Sequence, residues 1–119
     1  NKITVMHCVS AYPCITSSIN LPKINKLKEV FPNVGFSDHT QGIDVTKISL
    51  SYNIKAVEKH FTIDHNLPGR DNKFAILPND LKELIDFNDL FQKTNQFHGL
   101  DYQESELDSR INYRGRFNA

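Results

Sequence analysis

The sequence has no excess of charge of either sign, because 14 lysine and arginine residues balance 14 aspartate and glutamate residues. Without net charge, no long-range field draws nucleic acid or an anionic membrane to the protein. The chain also lacks an apolar run of roughly 20 residues, the length that spans a bilayer. Its first residues, NKITVMHCVS, lack the regions of a secretory signal. We therefore expect a soluble, cytoplasmic protein without nucleic-acid or membrane partners.

Cysteine is scarce as well, since Cys8 and Cys14 are the only two in the chain. Their spacing matches neither a C-x-x-C redox pair nor the usual spacing of zinc ligands, and it suits a reducing compartment. A redox or nucleophilic role for Cys8 is one alternative. An inert thiol near the end of a strand is favoured over it, because buried cysteine mostly behaves as a small hydrophobic residue.

The chain does have the composition of one globular domain, with 119 residues of which 39% are hydrophobic and 24% charged. Short runs of β-branched and apolar residues predict three strands, at 2–6, 33–36 and 54–61. Apolar residues at a helical period predict three helices, at 20–32, 43–52 and 79–95. Asn20 is the expected N-cap of the first helix, and Asn79 or Asp80 is expected to start the last.

Strands and helices alternate in this prediction, which is typical of βαβ units with parallel strands and right-handed crossovers. The expected fold class is therefore α/β, with consecutive βα units in residues 1–98 and a tail in residues 99–119. Polar segments end the predicted strands, and their sequences are HCVSAY, SDHT and EKHF. The carboxyl ends of parallel strands are where α/β proteins build their sites.

His39 and His60 stand at two of these strand ends, one βα unit apart. Because neighbouring parallel strands lie about 4.8 Å apart, the two side chains can reach one divalent ion. Structural histidines are the alternative, since the sequence identifies no third ligand. Asp38 and Glu58 offer carboxylates that would orient the ligands or hold a metal-bound water. An unrelated zinc hydrolase built on the same histidine pair is a further alternative.

Other polar residues are expected on the same rim. Three hydroxyl groups there suit phosphate or sugar oxygens, those of Ser10, Tyr12 and Ser37. Asp71 follows a Pro-Gly turn and is expected either to cover the strand ends as part of a lid or to lie in a solvated loop. His7 has apolar neighbours and is expected to be a hydrogen-bonded packing residue, whereas His65 and His98 are expected at the surface.

Four blocks of the sequence resemble consecutive blocks of the sialic acid synthase family. They are HCVSAYP at 7–13, GFSDHTQGI at 35–43, EKHFT at 58–62 and LPGRDNKF at 67–74. That family includes N-acetylneuraminate synthases and relatives that make legionaminic acid, pseudaminic acid and spore-coat sugars. The order and the spacing of the blocks both agree with that family from the first residue to about Leu90. No single block is specific for the family, but the combination of the four is.

The resemblance implies part of a TIM barrel that condenses phosphoenolpyruvate with N-acetylmannosamine or a related acetamido sugar, with a divalent metal, usually Mn²⁺. It also assigns roles to residues of this chain. His39 and His60 match the metal ligands, Glu58 a catalytic carboxylate beside the metal and water, Ser10 and Ser37 the phosphate side, and Tyr12 and Asp71 the sugar contacts. Arg70 and Cys14 depart from the family pattern, Arg70 standing where proline is usual.

Length is the larger departure, because a full (β/α)₈ barrel needs about 250 residues. The chain resembles the last three βα units, and the family's glutamate on an early strand, its phosphoenolpyruvate-binding lysines and its C-terminal antifreeze-like domain have no counterpart. We therefore expect an inactive chain that either forms a homo-oligomer or needs the remainder of the barrel. A non-catalytic module that only packs or self-associates is the alternative.

Overall fold

The computed structural model describes residues 3–113. Three strands alternate with helices, which confirms the α/β class. The strands are β1 (Val5–Cys8), β2 (Val34–Asp38) and β3 (Val57–Lys59). The helices are α1 (Lys23–Lys28), α2 (Asp44–Leu50), α3 (Pro78–Thr94) and α4 (Leu107–Asn112), with short 3₁₀ turns at Thr16–Ser18, Arg70–Lys73 and Glu104–Glu106.

The sheet is parallel, in the order β1-β2-β3. Its register aligns Cys8 with Ser37 and Ser37 with Glu58, so this row of side chains shares one face, which we call the open face. Side chains at the intervening positions point to the other face, which we call the helix face. His7 and Phe36 are register partners there, and their rings stack at 5.7 Å.

The hydrophobic core lies between the helix face and helices α1 and α2. Val34 and Phe36 supply its sheet side, and both are buried because β2 is the central strand. The other buried members of the cluster are Cys14, Ile19, Ile24 and Val45. The open face has no comparable cover among residues 3–113, and Cys8, Ala56 and Glu58 on it are exposed.

Several predicted boundaries differ from the structure. The first strand lies at Val5–Cys8 instead of 2–6, so His7 belongs to the strand. The first helix begins at Lys23, after Pro22 in the N-cap position, and Asn20 has a φ of 53°, so the prediction of Asn20 as N-cap is wrong. Asparagine tolerates this left-handed conformation better than most residues.

Helix α3 begins at Pro78, close to the prediction, but Asp80 is not its first residue. Its carboxylate Oδ2 instead accepts a hydrogen bond from the N–H of Leu77 at 2.9 Å, which satisfies a donor just before the first turn. Lys47 of α2 bonds Glu83 of α3 at 2.6 Å. None of α3's residues is fully buried, and Ile85 and Leu90 are 53% and 57% exposed.

The described part of the tail after Gly99 contains the 3₁₀ turn Glu104–Glu106 and the short helix α4. The Arg-rich end of the chain lies outside the described residues, and the boundary between 1–98 and 99–119 stays a prediction. Within residues 3–113, none of the helices combines the length and the apolar character needed to cross a membrane.

Candidate metal and substrate site

His39 and His60 meet at the carboxyl edge of the sheet, where they directly follow β2 and β3 respectively. Their ring centroids are 5.2 Å apart. Adjacent parallel strands bring their carboxyl ends to the same edge, and both histidines follow open-face residues at a spacing of two. The structure therefore places the two rings side by side, as a shared metal site requires.

His39 is held by its ring and by its backbone. Ring Nδ1 lies 3.2 Å from the carbonyl oxygen of Val9, and its own carbonyl accepts a hydrogen bond from the N–H of Cys14 at 2.8 Å. Because a carbonyl only accepts, Nδ1 must carry the proton in this contact, which leaves the lone pair of neutral His39 on Nε2. A second-sphere carbonyl that fixes the tautomer in this way is typical of metal-binding histidine.

His60 is positioned by the loop before α3. Its carbonyl accepts a hydrogen bond from the N–H of Ile76 at 2.8 Å. Its Nδ1 lies 3.6 Å from Oδ2 of Asp71, which is within ion-pair range but too long for a hydrogen bond. Asp71 therefore lies close to the end of β3, with its side chain 58% exposed, and its role as part of a lid stays a prediction.

The two imidazoles are the candidate donors that this edge of the sheet offers to a metal. Two imidazoles suit Mn²⁺, Zn²⁺ or Co²⁺ as part of a coordination sphere, and the Nδ1–H tautomer of His39 fits that use. Among residues 3–113 no group of three or more histidine, cysteine, aspartate or glutamate side chains has the geometry to hold an ion.

Glu58 and Ser37 form a bonded pair on the open face. The hydroxyl of Ser37 donates to Oε1 of Glu58 at 2.7 Å, and the two residues are register partners on β2 and β3. Ser37 is buried whereas Glu58 is exposed, so the serine fixes one carboxylate oxygen from below.

Tyr12 packs across both histidines. Its ring lies edge-on to His39 with centroids 4.3 Å apart, and 5.9 Å from the ring of His60. Phe74, which sequence analysis did not single out, completes this cluster at 5.1 Å from His60 and is buried. The sequence signal that could have found Phe74 was its place as the apolar residue that ends the block LPGRDNKF, which also contains Asp71. Aromatic walls of this kind limit the ways in which a ligand can approach the ring edges.

Ser10 is exposed at the end of β1, and its hydroxyl lies 3.7 Å from Sγ of Cys8. The same sulfur lies 3.8 Å from Nδ1 of His39. Cys8 does stand at a strand end, but the expectation of burial is wrong for it, because its side chain is on the open face. Cys14, in contrast, is buried, and burial is the main cause that raises the pKa of its thiol.

Asp38 does not lie beside the histidine pair, contrary to the expectation from sequence. It follows Ser37 in β2 and therefore points to the helix face, where its side chain is fully buried. Burial raises the pKa of the Asp38 carboxyl, but hydrogen bonds from Thr46, Thr40 and Lys59 outweigh burial, so the pKa lies below its ordinary value.

The remaining histidines behave as predicted. His7 is buried, and its Nε2 lies 2.7 Å from the carbonyl oxygen of Ile19, which confirms a hydrogen-bonded packing residue. His65 and His98 are exposed, and Nε2 of His65 lies 3.0 Å from the carbonyl oxygen of Ala75.

Comparison with known proteins matches residues 1–97 to the model of the NeuB family. The chain is 44% identical over 89 residues to the spore coat polysaccharide biosynthesis protein SpsE of Bacillus subtilis, covering 72% of this chain and 24% of that protein. It is 40% identical over 84 residues to the N,N'-diacetyllegionaminic acid synthase of Campylobacter jejuni, covering 70% of this chain and 25% of that protein. The chain thus spans about a quarter of the length of these curated relatives.

A solved structure shows the same likeness in three dimensions. The N-acetylneuraminic acid synthetase of Leptospira borgpetersenii, crystallised with citrate, superposes with a TM-score of 0.78 at 31% sequence identity. The match covers 97% of this chain and 40% of that one.

Proposed function

The chain belongs to the NeuB family, and on that premise we propose that it supplies the metal and sugar side of an active site that makes a nonulosonic acid. The proposed reaction condenses phosphoenolpyruvate with N-acetylmannosamine or a related acetamido sugar. One observation carries the proposal: His39 and His60 lie side by side at the strand ends, 5.2 Å apart, with Tyr12 packed across both rings.

In this proposal His39 and His60 hold a divalent cation, most simply Mn²⁺, through Nε2. The cation would act as a Lewis acid on the sugar aldehyde. Val9 keeps His39 in the tautomer that leaves Nε2 unprotonated. Asp71 lies on the loop side of His60, with Oδ2 3.6 Å from Nδ1.

Glu58 is the proposed catalytic carboxylate. Ser37 holds its Oε1 at 2.7 Å. That leaves Oε2 to accept a proton from the water that adds to C2 of phosphoenolpyruvate once the new C–C bond to the sugar has formed, after which phosphate leaves by C–O cleavage. Because Ser37 is buried and bonded to Oε1, it restricts the orientation of the exposed Glu58 carboxylate. Ser10 is also proposed to donate its exposed hydroxyl to the phosphate of phosphoenolpyruvate. Ser37 is proposed to border the phosphate side, with its hydroxyl hydrogen kept on Glu58.

Tyr12 and Asp71 are proposed to contact the sugar. The Tyr12 ring forms a flat wall beside the metal ligands, and the exposed carboxylate of Asp71 is a hydrogen-bond acceptor for sugar hydroxyls.

We propose that the chain alone does not turn over, since about three quarters of its relatives' length is missing from it. A second candidate is a module that only packs or self-associates, which the half-exposed Ile85 and Leu90 of α3 favour. The two candidates differ in one expectation. Within a complete barrel, the histidine pair would take part in catalysis in the first candidate and would not in the second.

A chimera tests the enzymatic proposal. Residues 1–97 would replace the matching segment of the Campylobacter synthase, and the purified chimera would be assayed with Mn²⁺ for N,N'-diacetyllegionaminic acid and for released phosphate. We expect product with the wild-type segment and at least a 100-fold loss with His39→Ala or His60→Ala, because removal of a metal ligand or its orienting partner costs on the order of 10- to 100-fold or more.

Lys82→Met serves as the matched control, since it removes only an exposed ion pair with Asp86 on α3. It should leave product formation unchanged. A cooperatively folded chimera that makes no product, or whose His39→Ala variant is as active as the parent chimera, would contradict the proposal and favour the packing module.

A further inference from the structure

A buried ion pair lies directly behind the histidine pair. Lys59 Nζ is 3.0 Å from Oδ2 of Asp38, and the two side chains are 5% and 0% exposed. They are register partners on neighbouring strands, on the helix face. Asp38 immediately precedes His39 in the chain, and Lys59 immediately precedes His60.

The carboxylate of Asp38 is saturated with donors. Its Oδ1 accepts the backbone N–H and the hydroxyl of Thr40, both at 2.8 Å. Its Oδ2 accepts the hydroxyl of Thr46 at 2.5 Å in addition to Lys59. Thr40 and Thr46 are buried, so these bonds are shielded from water.

Lys59 bonds to both sides of His39. Besides Asp38, its ammonium donates to the carbonyl oxygen of Thr40 at 2.8 Å. One cation from the strand of His60 therefore holds the residue before His39 and the residue after it. Asp38 also accepts hydrogen bonds from Thr40. The segment 38–40 is therefore held by bonds between its two ends and by bonds from both ends to Lys59 of β3.

We infer that Asp38 and Lys59 are positioning residues, which fix the distance and relative orientation of the His39 and His60 rings through the backbone. This inference rests on the proposed function, because positioning matters only if the rings act together. The ion pair touches neither the rings nor the open face, so it acts through the segment that carries each histidine.

The test uses the 119-residue chain with labelled histidine rings, observed by NMR. Paramagnetic Mn²⁺ broadens ring signals close to it, and in the wild type the signals of His39 and His60 should broaden together at one concentration. In Lys59→Met we expect that concentration to rise by about 10- to 100-fold, the usual effect of losing a ligand-orienting partner. Lys59→Arg keeps the charge and should restore joint broadening.

A double variant separates positioning from stability. Asp38→Asn with Lys59→Met removes both charges together, so neither is left buried and unpaired, and the chain should fold. The ion pair between the strand ends is nevertheless lost. We therefore expect the double variant to behave like Lys59→Met, with the signals of the two rings broadening separately and only at higher Mn²⁺ concentration. Lys82→Met, which removes an exposed pair on α3, is the control and should match the wild type.

A metal-free measurement distinguishes failure of this inference from failure of the proposed function. Nuclear Overhauser contacts from Tyr12 to the two histidine rings report their arrangement directly. The inference is overturned if the folded double variant keeps these contacts and the wild-type response to Mn²⁺. If the wild type shows the contacts but no response to Mn²⁺, the metal proposal fails, and loss of the contacts in the double variant still supports positioning.

Discussion

At the scale of single residues, Lys59 is expected to matter more for stability than any exposed lysine. Lys59→Met would leave the Asp38 carboxylate buried without its cation, which costs on the order of 3–5 kcal/mol. Lys82→Met breaks an exposed pair within α3 and should cost less than about 0.5 kcal/mol. Urea unfolding followed by circular dichroism measures both. Equal losses in the two variants would mean that the buried pair contributes no more than a surface pair.

Asp38 should also make stability depend on acidity. Its folded pKa is lowered, so the stabilisation is fully present above the unfolded pKa of about 3.9 and is lost as the pH falls through the folded pKa. The free energy of unfolding of the wild type should therefore decrease below about pH 4, and the decrease should be smaller in Asp38→Asn. Urea unfolding at a series of pH values measures both proteins, and the same slope in Asp38→Asn as in the wild type would contradict the prediction.

Sequence reasoning located the histidine pair because it needs only strand order and the rule that parallel strands end at one edge. It misplaced Asp38 because the predicted strand ended at residue 36, whereas β2 continues to Asp38, so the alternation of side chains between the two faces was not extended to this residue. Phe74 was missed for a related reason: a loop carries no periodicity that would show which of its apolar residues turns toward the site.

At the scale of secondary-structure elements, β2 depends on a glycine. A Cβ at Gly35 would lie 2.7 Å from the carbonyl oxygen of Ala56, the residue just before β3, and would collide with Sδ of Met6. Gly35→Ala should therefore cost about 1–3 kcal/mol, the usual cost of overpacking. Adding Met6→Ala removes the side-chain clash but not the backbone clash, so it should restore only part of the thermal stability. Full recovery in the double variant would show that β2 and β3 separate easily.

Helix boundaries show which local signals were sufficient. The long apolar stripe of α3 fixed its position to within a few residues, because many residues contribute to the period. Helix α1 has six residues, and its start is set by a left-handed Asn20 and by Pro22 instead of a side-chain cap. Such a backbone choice depends on packing of the preceding loop, with Ile19 buried in the core, and the sequence pattern does not report it.

At the scale of the whole molecule, apolar surface on the outer side of β3 is the dominant feature. A cleft of about 190 Å³ between β3 and α3 is lined mainly by Leu50, Val57, Leu84 and Ile85. The edge of β3 away from β2 has no strand partner among residues 3–113. Open edges and uncovered apolar faces favour association. The chain on its own should therefore run as an oligomer in size-exclusion chromatography with light scattering.

Ile85→Glu tests whether this surface causes the association. Ile85 lines the cleft and is 53% exposed, so a glutamate there places a charge in the contact without opening the core. Association should weaken and the oligomer should dissociate at a higher protein concentration. Lys93→Glu, which changes charge near the end of α3 outside the cleft, should leave the oligomer unchanged. A wild-type chain that stays monomeric and folded at every concentration would contradict this prediction. The apolar cleft and the open edge of β3 would then be stable in water without a second copy or further strands.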